Sequence, residues 1–201
     1  MFYYLEGPVT VIEQNLAVVD VGGAGYACHT SMNTLSRLEA GKRARLHTYC
    51  NIKEDAFDIY GFYDMSEKRF FEQLLTVSGV GPKAALSILS SGTPETLALA
   101  IINEDERALT LAPGVGKKLA QRVILELKDK IAKESAGVKG SGLTPAPTGV
   151  GAKGTKLSDA ASALAVLGYS QGEIAAALRG METEALTVEE IIRNVLKDSL
   201  K

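Results

Sequence analysis

Apolar and polar positions alternate through the first sixty residues and then give way to a helical pattern. Runs at 9–12, 16–21, 26–30, 46–52 and 57–62 are β-branched or aromatic with partial alternation, which predicts five short strands. Gly7-Pro8, Gln14-Asn15 and Gly22-Gly23-Ala24-Gly25 punctuate them, and a short helix is expected at 34–38. Helices are predicted over 67–76, 82–90, 94–102 and 116–133, with a further short one opening at Glu104-Asp105-Glu106-Arg107. Thr93-Pro94 is a helix start with proline at its first position. Residues 135–156 shift to Gly, Ser, Thr, Pro, Ala and Lys with no period, the composition of a disordered linker. Helical segments return at 157–167, 171–178 and 188–196, with Gly168 closing one helix and Ser170 capping the next.

The predicted architecture is multidomain α+β. A small barrel of OB type occupies 1–65 and an all-α unit 66–134; the linker at 135–156 then leads to a three-helix domain at 157–201. Forty-five residues make a marginal core, so this last module is expected to leave apolar surface for a protein partner. Its apolar residues Leu164, Leu167, Ile174, Leu178, Ile191, Ile192 and Leu196 occur at helical spacings. Most of them are expected to build the module's own core, beyond a linker too flexible to fix its position.

Within the helical unit one loop occurs twice. Gly79-Val80-Gly81-Pro82-Lys83 returns thirty-five positions later as Gly114-Val115-Gly116-Lys117-Lys118, each copy between helical segments. A Gly-x-Gly hairpin leaves free N–H groups at the start of its second helix, with the positive end of the helix dipole behind them. That arrangement takes an anion, and a lysine at its edge favours phosphate. A Walker A loop fails here, because Leu111 and Lys118 stand where it needs glycine and a hydroxyl. A dinucleotide fingerprint fails too, because both flanks of Gly79 look helical. The repeat resembles the paired helix-hairpin-helix motif that reads nucleic-acid backbone. The predicted phosphate ligands are Gly79, Gly81, Lys83, Gly114, Gly116, Lys117, Lys118 and Arg122, the last placed at the second hairpin.

The net charge of −2 gives no sign of nucleic acid. Acid is in excess in the first and last domains, and base only in 135–156 and around Lys117, Lys118 and Arg122, so any DNA face is local. The adjacent carboxylates Glu54 and Asp55, at a predicted hairpin tip, repel phosphate. Cys28 and Cys50 form no CxxC and fit a reducing cytoplasm. With His29 and His47 they match no zinc spacing, and Cys28 and His29 should face opposite sides of a strand, so no metal or other cofactor is expected. No apolar run reaches membrane length and the N-terminus lacks the pattern of a signal peptide, so a cytoplasmic protein is expected.

The ordered combination of these parts resembles the RuvA family of Holliday-junction recognition proteins. The likeness is carried by Asp20-Val21-Gly22-Gly23-Ala24-Gly25-Tyr26, by Glu54-Asp55 with Tyr60-Gly61-Phe62, by both hairpins, and by Ala165-Val166-Leu167-Gly168-Tyr169. The resemblance implies a homotetramer, or an octamer on DNA, whose basic concave face holds an open four-way junction. It implies Glu54 and Asp55 as an acidic pin at the crossover, and a UBA-like tail that binds the RuvB motor through residues including Leu167, Tyr169 and Ile174. The RuvC resolvase is a further implied partner. No catalytic residue is implied: Asp129, in a charged helical run, resembles no glycosylase segment. One departure is Tyr3-Tyr4 before Leu5, where the family usually has Gly-Arg.

Overall fold

Five strands close into a barrel in the order β1-β2-β3-β5-β4: β1 (Tyr4–Glu13), β2 (Leu16–Val21), β3 (Ala24–His29), β4 (Arg43–Ile52) and β5 (Phe57–Phe62). The computed structural model describes residues 1–137 and 154–198 except positions 180, 182, 184 and 185. All strand pairs are antiparallel except β3 with β5, the order of an OB barrel. Alternate residues point inward, so Leu5, Val9, Val19, Cys28, Leu46 and Ile59 fill the interior with Leu38 as a plug. The strand β1 begins earlier than its pattern predicts and runs through Gly7-Pro8. Pro8 lies in the terminal β1–β4 pair, opposite Arg43, where a missing N–H costs little.

Helices α1 (Met32–Leu35), α2 (Met65–Leu75), α3 (Pro82–Ser91), α4 (Pro94–Ile102), α5 (Glu106–Thr110) and α6 (Lys117–Gly137) follow the barrel or interrupt it. Polar contacts fasten α1 to them. Asn33 donates to the carbonyls of Leu89 and Gly92 at 2.7 and 2.8 Å. Ser31 and Thr34 both donate to the Glu67 carboxylate, and Thr34 Oγ1 accepts from the Tyr63 N–H at 2.9 Å. Glu67 is 3% exposed, and burial pushes its carboxyl above the ordinary value while the two hydroxyls pull the other way. The stability this carboxyl contributes is therefore present below its ordinary value and is lost as pH rises through the raised one. Glu67→Ala leaves two buried hydroxyls without their acceptor, so thermal unfolding should show a loss of about 2–4 kcal/mol. Glu67→Gln should keep most of the stability and remove that pH dependence.

The tail differs from its expected independence. Its helices α7 (Gly154–Val166), α8 (Gln171–Leu178) and α9 (Val188–Asp198) pack on the body, α7 against α6 and α9 against α4. One apolar cluster runs from Tyr60, Phe62 and Phe71 through the helical unit to Leu164, Leu167, Ile191 and Leu196. Arg69 Nη1 donates to the Gly168 carbonyl at 3.1 Å and lies 3.8 Å from Glu173. Gly168 has φ +99°, and a Cβ there would stand 3.0 Å from that of Arg69, so the contact requires glycine. Sequence spacing shows that Leu164 and Leu167, and separately Ile191 and Leu196, form apolar helix faces but not what covers them. Helix continues through Gly137 and resumes at Gly154, inside both ends of the stretch expected to be a linker. The middle of that stretch, 138–153, lies outside the described residues.

Candidate nucleic-acid interface

Each hairpin is held from beneath by its valine and open above. Val80 and Val115 are buried, and each donates its N–H back to a carbonyl, Val77 at 3.1 Å and Ala112 at 3.0 Å. Gly79 and Gly114 sit at φ +85° and +80°, the left-handed region that a side chain resists. The following glycines are spared for another reason: a Cβ at Gly81 or Gly116 would meet nothing in the protein. The space above them is free for a ligand to reach the backbone.

The donors lie at the ensuing helix starts. Gly81 is the N-cap of α3 and supplies no side-chain cap; the first intrahelical bond runs from Ala85 to Gly81. The N–H groups of Lys83 and Ala84 precede it. In α6 the first bonds run from Leu119 and Ala120 to Gly116, leaving the N–H groups of Lys117 and Lys118 ahead of them. Lys83, Lys117 and Lys118 stand at these starts, all three exposed. Lys117 Nζ lies 3.8 Å from Glu106, whereas Lys118 has no ion-pair partner among the described residues.

Arg122 sits in the early turns of α6, after the second hairpin, and also reaches the first, donating to the Ser78 carbonyl at 3.4 Å. Glu126, one turn on, accepts from the Ser78 N–H at 3.0 Å. Neither Glu126 nor Ser78 stands out in the sequence, because the contact joins residues forty-eight positions apart.

Glu54 and Asp55 are exposed at the β4–β5 tip, which a bond from the Lys53 N–H to the Ala56 carbonyl closes at 2.8 Å. Neither makes an ion pair with a described residue. Ile52 and Phe57 pair across the strands at the root of the tip and are 65% and 53% exposed. On the outer face of β1 and β4, Arg45 stacks over Tyr4 at 4.6 Å and binds Glu6 at 2.6 Å, with Arg43 nearby on the same face. Lys68 lies over Tyr3 at 4.9 Å. Each tyrosine of the Tyr3-Tyr4 pair thus has a cation over its ring. In the tail Leu167 and Ile174 are interior, and Tyr169 is half-buried beside them. Cys28 points into the barrel and His29 out of it, so they do not converge on one ion.

Three family comparisons cover the chain in sequence. Residues 1–61 match the RuvA N terminal domain, 71–129 a SAM-like helix-hairpin-helix tandem, and 155–200 the RuvA C-terminal domain. The chain is 39% identical over 198 residues to a protein of Ruminiclostridium cellulolyticum, covering 98% of this chain and 99% of that one. It is 42% identical to one of Acetivibrio thermocellus over 98% of both chains, and 43% identical to one of Symbiobacterium thermophilum, again over 98% of both. Each relative is described as a Holliday junction branch migration complex subunit RuvA. With the barrel, the tandem hairpins and the three-helix tail all matched in order, the chain belongs to the RuvA family.

Proposed function

We propose that this chain is the DNA-binding scaffold of a Holliday junction branch migration complex, holding a four-way junction for the RuvB motor and catalysing nothing itself. The observation that carries the reading is the repeated hairpin: two open helix starts in one helical unit, each with a lysine and free N–H groups. Such sites take phosphates without reading bases, as a protein that must let DNA slide requires. Gly79, Gly81 and Lys83 form one phosphate site, and Gly114, Gly116, Lys117 and Lys118 the other. Arg122 adds charge between them.

Four copies around a four-fold axis would bring the Glu54-Asp55 tips together at the crossover and cover the exposed Ile52 and Phe57 at their roots. The tips then exclude duplex from the centre by charge, and the tail, with Tyr169 at its accessible edge and Leu167 and Ile174 shaping it from within, engages RuvB. An octamer clamping the DNA and contact with the RuvC resolvase belong to the same reading. No single helix among the described residues is long and apolar enough to cross a membrane, and a chromosomal substrate supports a cytoplasmic location.

The pin supplies the test. A carboxylate near a phosphate costs about 1 kcal/mol in a water-like dielectric. The double variant Glu54→Gln with Asp55→Asn should therefore bind linear duplex roughly fivefold more tightly. Its preference for junctions should fall in a competition assay. Unchanged duplex affinity would reduce the tip to a solvated turn.

A further inference from the structure

The two hairpins are tied to each other by bonds that obey the thirty-five-residue repeat. Ser87, on the helix after the first hairpin, donates its hydroxyl to the Pro113 carbonyl of the second at 2.7 Å. Arg122, on the helix after the second, donates to the Ser78 carbonyl of the first at 3.4 Å. Ser87 and Arg122 occupy equivalent positions of the repeat, and so do Ser78 and Pro113. Each unit's second helix thus holds the carbonyl just before the other unit's first glycine.

The asymmetry follows from the same pair. Ser78 has an N–H and Pro113 has none. Glu126 accepts the Ser78 N–H at 3.0 Å; its equivalent, Ser91, has no such donor to meet and turns its hydroxyl to the Ile88 carbonyl at 2.7 Å. Leu119 packs under the same hairpin, 3.8 Å from where a Gly79 Cβ would lie. Glu126 places a negative charge beside a loop otherwise built to attract phosphate. By Coulomb's law alone that charge weakens DNA binding, so its place there calls for another role.

We infer that Ser87, Arg122 and Glu126 form a reciprocal clamp that fixes the two hairpins in relation to one another, so that both phosphate sites meet one backbone together. The inference rests on the reading of the hairpins as phosphate sites. Ser87 and Glu126 are positioning residues: their contacts are to the hairpin backbone, and they act on DNA through it, whereas Arg122 adds its own charge to the same role. A hairpin freed of its tie must be ordered again on binding, which lowers affinity without removing any cation.

Because DNA also feels the charge of Arg122, the decisive variants are at Glu126 and Ser87. The full chain is titrated against a labelled four-way junction at one salt concentration, with thermal melts run in parallel. Glu126→Ala should weaken binding about fivefold although it removes a negative charge, the effect expected when one charge-assisted hydrogen bond is removed. Glu126→Gln, which restores an acceptor without the charge, should recover the parent's affinity, and Ser87→Ala should weaken binding independently. Pure electrostatics predicts the opposite sign for Glu126→Ala. Binding by Glu126→Ala as tight as the parent or tighter, with Ser87→Ala unchanged, overturns the clamp; should Glu126→Ala fail to fold, Ser87→Ala decides alone. Lys118→Ala is the control for the underlying reading. If it weakens binding while the clamp variants do not, only the clamp fails; if it too is silent, the hairpins are not the phosphate sites.

Discussion

Alanine at both Lys117 and Lys118 should weaken junction binding by about two orders of magnitude at physiological salt, whatever the sequence of the arms. The two lysines stand at the uncapped start of α6, where free N–H groups and the helix dipole already favour an anion. Their ammonium groups release counterions from the DNA. The slope of log affinity against log salt should therefore shrink by about 0.9 for each phosphate no longer neutralised, multiplied by the subunits engaged. The two are not equal. Lys117 is drawn toward Glu106 at 3.8 Å, so Lys118→Ala alone should cost more than Lys117→Ala alone. A salt slope identical to the parent's would place both lysines on a solvated outer face.

A chain stopped after Gly137 should bind junctions but lose all stimulation of branch migration by RuvB. The phosphate sites lie wholly within α3, α6 and their hairpins, upstream of the cut. The proposed motor-binding residues Leu167, Tyr169 and Ile174 lie downstream of it. Because α7 covers α6 and α9 covers α4, the shortened chain also exposes apolar surface, and its melting temperature should fall. Had the tail hung free, the body's stability would not change. Full branch migration with the shortened chain would remove the tail from the motor contact, and failure to bind junctions would make it part of the DNA-binding body.

The tail also shows where sequence reading stops. Periodicity at Leu164 and Leu167, and again at Ile191 and Leu196, reveals apolar helix faces, and such faces look the same whether they cover their own module or a neighbour. The barrel strands are more legible, because alternation sets their inward faces without outside help; the starts of β1, β3 and β4 are cut short, β1 at a Pro8 that an end-of-ladder pair tolerates. The hairpins are legible because left-handed glycines and a fixed repeat leave a local mark. Glu67 is not. An acidic residue in a helix's first turn is ordinary, and its burial under Ser31 and Thr34 arises only when the barrel meets α2. Arg122 is legible as a cation on the helix after the second hairpin, but its reach across to Ser78 is not, since that depends on how the two units pack.

The most direct measurement is a mobility shift of the full chain against a four-way junction, linear duplex and single strand of the same sequences at matched salt. Two phosphate sites per subunit with an acidic tip at the centre predict tightest binding to the junction, weaker binding to duplex and weakest to single strand, with the order unchanged when the arm sequences are permuted. Equal affinity for junction and duplex would contradict the junction reading and leave a general duplex-binding module in its place.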